Sequence, residues 1–443
     1  MNDKNQIDKA TSLVEAAKRS GADAADAVII RSHSTSVSVR FGKVESTDAS
    51  ESNDFTLRVF VGKKVASISS NLAACPQELA ERAVAMAKAS PDSLFEGLVE
   101  KESLVTNPKD LNLFDNFSPN SHFLTEDALK MEAAALDVKG VSNSGGAAAT
   151  YGSGGFVLVT SDGFCGTYHS SFFSRSCSAV AGEGTAMERD YDYTAALHFS
   201  DLEEPETVGK NAGIGAVRRL GAVRATTGTV DVIFAPRTAR GIAGHIAGMV
   251  NGASVARKTS LLQNLLGKEV MKPGVNVTDQ PLRLRGTASR PFDGEGVEGQ
   301  TLNIIENGVL KNWLLSSSTA RELGLKTNGH GVRSASLVQP SSTNFAIEPG
   351  LTSPHDMIKS LQSGFYVTEL FGHGIDFVTG QYSRGASGFW IENGELTYPV
   401  SEITLGSDLL HMLAHLTPAN DIDRRYSTAA PTLLIERMTL AGK

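Results

Sequence analysis

Five residues in one glycine-rich stretch are the strongest candidates for contact with another molecule. Within residues 371–405, Asp376, Gln381, Ser383, Arg384 and Trp390 are interleaved with Gly372, Gly374, Gly380, Gly385 and Gly388. Glycine there permits close backbone approach or a positive φ. An arginine and an aromatic ring on a glycine-shaped strand can pair with a peptide or a partner subunit, although packing is the plainer role for Trp390. Three other sets could do chemistry. His411 and His415 stand four apart and could share one helical face, but they lack a glutamate between them and a third ligand, and read more plainly as part of a half-buried helix before Pro418. Asp293, Glu295 and Glu298 crowd a glycine-rich loop where paired carboxylates could exchange protons; the plainer reading is a solvated turn. His245 stands beside an apolar stripe of Ile242, Ile246 and Met249 and reads as a satisfied structural histidine. A Gly-x-x-x-x-Gly-Lys phosphate loop and a Gly-x-Ser-x-Gly elbow are both missing, so no catalytic residue is assigned.

The composition narrows the partners. Lys and Arg total 41 against 49 Asp and Glu, a net charge of −8. Nucleic acid is not expected as a direct ligand, because neutralising phosphates takes concentrated positive charge. No run of about 18 apolar residues is present to span a bilayer, and the charged first 25 residues do not read as a signal peptide, so a cytoplasmic location is expected. The three cysteines, Cys75, Cys165 and Cys177, have no CxxC spacing and read as reduced, buried thiols.

The elements that must position these residues follow from periodicity and punctuation. Ile7, Ala10, Leu13, Val14 and Ala17 recur at helical spacing before Gly21. Val37, Val39 and Phe41, then Phe55, Leu57, Val59 and Val61, alternate as strands with one buried face. Pro76 starts a helix with Leu79, Ala80, Ala83, Val84 and Ala87 on its buried side. Residues 90–122 read as a connector, 125–137 as a helix, 146–200 as long glycine-punctuated strands, 204–220 as a helix and 229–234 as a strand, with another helix after Pro236. Ile305-Glu306-Asn307-Gly308 and Ile391-Glu392-Asn393-Gly394 predict two hairpins with type I′ turns. Strands and helices do not alternate as in a doubly wound sheet, so the fold class is α+β. The expected domains are an N-terminal mixed α/β sheet domain with its connector (1–122), a central domain (123–225) and a β-dominated C-terminal domain (226–443).

Several segments together carry a family resemblance. They are Asp231-Val232-Ile233-Phe234-Ala235-Pro236, Phe292-Asp293-Gly294-Glu295-Gly296, and residues 305–310, 344–350, 374–405 and 430–436. Nearly the whole chain resembles the TldD/PmbA family, known as modulators of DNA gyrase, and within it the PmbA/TldE branch. The resemblance implies a two-subunit intracellular zinc metallopeptidase that degrades or matures unfolded peptides. A TldD-type subunit holds the zinc on a His-Glu-x-x-x-His helix with a cysteine near the C-terminus, and a TldE-type subunit completes a closed chamber. By the spacing to Ser260, that helix motif falls here on Ala243, Gly244 and Gly248, with His245 out of register. No cysteine follows Cys177, and Ser427 is the nearest polar residue where the third ligand would stand. The implied chain has no metal of its own, a TldD-type partner and an unfolded peptide as its contacts, and a homodimeric or loosely associated state when alone. The alternative implied by the family's older label is a regulatory interaction protein acting on DNA gyrase or toxin–antitoxin systems.

Overall fold

The computed structural model describes residues 3–71, 74–334 and 337–443. Helix α1 (Asp3–Arg19) buries Ala10, Leu13, Val14 and Ala17. It stops at Gly21, whose φ of 98° suits a residue without Cβ. The Ala22 N–H then reaches back to the Ala17 carbonyl at 3.0 Å, closing off an otherwise orphaned carbonyl. Strands β1 (Ala24–Arg40), β2 (Lys43–Val61) and β3 (Lys64–Asn71) follow as antiparallel neighbours. Phe41, expected to face inward, instead lies in the β1–β2 turn with a φ of 53° and is 59% exposed. Helix α2 (Pro76–Ala89) begins at its proline and buries Ala80, Ala83, Val84 and Ala87. Beyond a largely irregular connector come α3 (Ser121–Leu136), β4 (Val141–Thr160), β5 (Cys165–Ala181), β6 (Glu188–Ala196) and α4 (Pro205–Arg218).

These six strands form one sheet in the order β3-β2-β1-β4-β5-β6. It is built from sequence on both sides of residue 122, because β1 pairs with β4 from Asp26 opposite Thr160 to Val39 opposite Ala147. Side chains alternate between faces at every residue, so the odd-numbered positions of β1 share one face. Ala25, Ala27 and Ile29 pack in one cluster with α1 and α2, while Val37 and Val39 pack in another with α3 and α4. The even-numbered face does something else. Val28 and Leu158 meet Phe164 and Phe292 there, and Phe292 belongs to the C-terminal half.

That half begins with β7 (Gly228–Phe234), α5 (Pro236–Met249), α6 (Gly252–Ala256), β8 (Val277–Asp279), β9 (Leu302–Glu306) and β10 (Val309–Leu310). It continues through α7 (Ser317–Glu322), β11 (Gly331–Ser334), β12 (Leu337–Pro340), β13 (Phe345–Ile347) and α8 (Pro354–Lys359). It ends with β14 (Ser363–Ile375), β15 (Gln381–Glu392), β16 (Glu395–Asp408), α9 (Leu409–Ala414), β17 (Leu416–Pro418), β18 (Thr428–Ala429) and β19 (Leu433–Ala441). The main sheet runs β16-β15-β14-β7-β19-β17, and a further β16–β19 pairing closes five of its strands into a barrel. Both expected hairpins are present: Asn307 and Gly308 have φ of 49° and 80°, Asn393 and Gly394 of 52° and 79°, the pair of positive angles a type I′ turn needs. With helices packed on one open antiparallel sheet and a second, barrel-like unit, the fold is α+β.

Candidate functional site

Helix α5 has two sides with different occupations. Ala239, Ile242, Ala243, Ile246 and Met249 are buried in one cluster with Phe234, Phe365, Val367 and Leu405. The opposite side carries Arg237, Arg240, Gly241, Gly244, His245 and Gly248, all partly or fully exposed. The turn between β14 and β15 folds over the last part of that side. The Phe377 ring would come within 3.3 Å of a Cβ at Gly248, and the Phe377 carbonyl accepts from the Leu261 N–H at 2.9 Å. His245 lies against Phe377 and Tyr382, with ring centroids 5.8 Å and 6.3 Å away. Among the described residues its ring makes no hydrogen bond or ion pair, so what holds it is packing on the two aromatic rings. Burial, aided by the positive charge of Arg384, lowers its pKa to about 4. The imidazole is therefore neutral near pH 7. The Tyr382 hydroxyl beside it is buried without a hydrogen-bond partner among the described residues, and burial raises its pKa.

The donor set of this helix does not fit a zinc ion. Zinc needs nitrogen, sulfur or carboxylate ligands. Ala243 is fully buried, a Cβ at Gly244 would meet nothing within 4 Å, and Gly248 sits beneath Phe377; none of the three offers a donor atom. His411 and His415 do share a face, with rings stacked 4.1 Å apart. One nitrogen of each is engaged: His411 Nε2 contacts the Glu436 carbonyl at 3.1 Å and His415 Nδ1 contacts the His411 carbonyl at 2.8 Å. Among the described residues no three His, Cys, Asp or Glu side chains are grouped so as to hold a metal.

Four of the five sequence candidates meet at the β14–β15 end. Asp376 is exposed and accepts from the Val378 and Thr379 N–H groups at 2.8 Å and 3.2 Å; these bonds hold its pKa below the usual carboxylate range. The Gln381 carbonyl accepts from the Asp376 N–H at 3.0 Å, closing the turn. Ser383 is exposed, and Arg384 Nε donates to the Phe371 carbonyl at 3.0 Å. Phe371 and Val378 stand exposed around them, at 46% and 57%. The β14–β15 ladder is irregular between Phe371 and Gly374, which interrupts main-chain pairing at residues 372–373. Trp390 is elsewhere. It pairs with Phe365, six residues or about 20 Å along the strand from Arg384, and stacks on Tyr398 with 6.5 Å between centroids.

The acidic loop is not a solvated turn. Asp293 is 1% and Glu295 5% exposed. Asp293 accepts from the Glu295, Val297 and Gly331 N–H groups at 2.8, 3.0 and 2.8 Å. Glu295 accepts from the Ser317 N–H at 2.8 Å and from its hydroxyl. Nearby, Arg58 pairs with Asp26 at 2.7 Å and Glu96 at 3.3 Å, and Arg333 also pairs with Asp26. Burial together with the Asp293 charge pushes Glu295 up to about 7, against the pull of Arg58. For Asp26 burial is the largest influence and would raise it, but Arg333 and Arg58 together outweigh it and hold the carboxyl low. These residues tie β1 and β2 to the C-terminal half, and buried charge survives only with such partners. Glu298 alone is at the rim, paired with Lys109 at 3.4 Å.

Of the cysteines only Cys177 is buried, its thiol pushed up to about 12 by burial. Cys75 and Cys165 are exposed, which corrects the expectation of three buried thiols. Among the described residues no helix is long and apolar enough to cross a membrane.

Comparison with known proteins gives a consistent result along the chain. Models of the PmbA/TldA metallopeptidase match in order: domain 1 over residues 25–87, the central domain over 115–220 and the C-terminal domain over 227–442. A metalloprotease PmbA homolog of Haemophilus influenzae is 36% identical over 436 residues, 97% of this chain and 94% of that protein. A candidate modulator of DNA gyrase from Bacteroides thetaiotaomicron has the same fold, with a TM-score of 0.92 over 100% of both chains at 24% identity. TldE from Thermococcus kodakarensis shares it too, with a TM-score of 0.85 at 19% identity over 98% of this chain and 100% of that one.

Proposed function

The chain belongs to the PmbA/TldD family of metallopeptidases, and we propose that within it this is a TldE-type subunit, working beside a TldD-type partner that holds the zinc and handling unfolded peptides. One observation supports the subunit role above others. Where the zinc helix would present its donors, α5 has Ala243, Gly244 and Gly248, and the one imidazole nearby is held neutral against Phe377 and Tyr382.

Without a metal of its own, the chain's contribution is to bind and confine. The β14–β15 end, with Asp376, Gln381, Ser383 and Arg384 around an interrupted ladder, supplies unpaired main chain and an arginine beside exposed Phe371 and Val378. An extended segment can lie on such an edge through its own backbone, which selects unfolded chains over folded ones. Trp390 enters this reading only as a packing residue of the same strand. Alone, the chain is expected to be a homodimer or a loosely associated monomer in the cytoplasm.

The test is co-expression with a TldD-type protein, followed by an assay of unfolded-peptide cleavage with and without chelator. Cleavage is expected from the pair, lost with chelator and absent from this chain alone. Chelator-sensitive cleavage by the single chain would overturn the subunit role.

A further inference from the structure

At its N-terminal end, α5 borders a cavity of about 260 Å³ lying between β6, α4 and the loop that precedes β18. Three arginines line it, and two are already paired. Arg425 pairs with Asp423 at 2.7 Å and with Glu203 at 3.1 Å. Arg237 pairs with Asp190 at 2.8 Å and donates to the Thr368 and Tyr191 carbonyls at 2.6 Å and 3.2 Å. Arg240 is different. Among the described residues it makes no hydrogen bond or ion pair, and its guanidinium lies 3.7 Å from the ring centroid of Tyr426 and 5.5 Å from that of Tyr193.

The aromatic frame is fixed. The two tyrosine rings meet edge to face at 5.3 Å, and the Tyr426 hydroxyl donates to the Tyr193 carbonyl at 3.0 Å. Stacking engages the flat faces of a guanidinium and leaves its in-plane N–H donors unused. A planar acceptor that can take two of them side by side is a carboxylate. The Arg240 guanidinium, without an ion pair among the described residues, suits a single negative charge. With Asp190 behind Arg237, four acids (Asp190, Asp192, Glu203 and Asp423) surround the three arginines, so the cavity offers little to a phosphate group carrying about −1.5 to −2. Its volume lies just below the roughly 300–1,000 Å³ of sites for drug-sized ligands. One or two residues of a chain fit. The first turn of α5, with no side-chain cap at Ala235, adds the positive end of a helix dipole.

We propose that this cavity binds a carboxylate of an extended peptide, gripped by the in-plane donors of Arg240 while Tyr193 and Tyr426 hold the guanidinium. The proposal deepens the peptide-handling reading above and rests on it. A carboxylate can come from a chain terminus or from an acidic side chain, and the experiment separates the two.

Binding to the full chain would be measured calorimetrically with three probes: N-acetyl-dialanine as the free acid, its C-terminal amide, and N-acetyl-alanyl-aspartyl amide. The free acid is expected to bind about tenfold or more tightly than the neutral amide, with R240Q erasing the difference. R240K, which keeps the charge but not the fork, should fall between, and it serves as the readout if R240Q melts far below the parent. Preference for the free acid alone assigns the chain terminus; preference shared by the aspartyl amide assigns a side chain. No binding of any probe, equal binding of all three, or a preference unchanged in both Arg240 variants overturns the proposal. Because the assay uses no partner and no cleavage, failure of the subunit reading would leave its result standing, and the reverse.

Discussion

Replacing Glu295 by glutamine should remove a pH dependence from the stability of the protein. Burial and the charge of Asp293 push this carboxyl from its ordinary 4.5 up to about 7. Between those values the folded chain keeps a proton that the unfolded chain has lost, so folding is favoured on the acid side and the advantage disappears as pH rises through 7. At about 1.4 kcal/mol per tenfold, the loss is on the order of 3 kcal/mol. Glutamine is neutral throughout and keeps an oxygen for the Ser317 N–H, so the variant should not lose it. His245 works in the opposite sense over much of the same range, since its pKa is lowered to about 4, and the parent's own pH profile therefore mixes the two. The difference between parent and E295Q cancels the contribution of His245, which is common to both. Urea unfolding of each at steps from about pH 4.5 to 8 should show the variant gaining on the parent by on the order of 3 kcal/mol up to pH 7, then a plateau. The proton belongs to the Asp293–Glu295 pair and not to one oxygen, so the step reports the pair. A flat or falling difference would refute the buried-pair reading.

The same assay tests His245→Phe. A base whose folded pKa is depressed gives stability that is complete above its unfolded value near 6.5 and lost as pH falls through 4, so the phenylalanine variant should gain on the parent by up to about 3 kcal/mol toward the acid end; no gain there would mean the ring protonates freely in the folded protein. Gly244→Ala should stabilise the isolated chain by about 0.5–1 kcal/mol in urea unfolding, because an alanine there meets nothing within 4 Å and alanine loses less backbone entropy in a helix. A lower unfolding midpoint would reveal a contact that the added methyl disturbs.

What could be read from the sequence was local. Gly21, Pro76 and the two Asn-Gly pairs mark their helix ends and turns by backbone chemistry that needs no distant partner, and all four do what they announce. Pairings between remote segments were not legible. Nothing near residue 30 tells that its neighbour lies near residue 156, yet that ladder makes one sheet of two stretches separated by a connector. The burial of Asp293 and Glu295 failed for the same reason. A loop of glycine and acid reads as solvated unless its cations are seen, and those arrive from β2 and β11 as Arg58 and Arg333. One trace was available: Arg58 interrupts the apolar run from Leu57 to Phe60, a charge where only a buried partner makes sense. Phe41 erred by one position, since a strand-like alternation runs past its last paired residue into the turn.

The glycines of α5 give two different answers to one question. Gly248 has a reason within the chain, the Phe377 ring 3.3 Å from its missing Cβ. Gly241 and Gly244 have none, for a Cβ at either would meet nothing within 4 Å, although each weakens the helix by roughly 1 kcal/mol relative to alanine. The buried stripe from Ala239 to Met249 holds the helix in spite of that. What an exposed glycine provides is close approach of another backbone, and Arg240 lies one turn before Gly244 on the same side. If the use of that side is outside the chain, Gly244→Ala must act with opposite signs in two assays: the isolated chain becomes more stable, while peptide cleavage by the pair reconstituted with a TldD-type subunit falls. A helix that is only scaffolding would gain stability and keep its activity.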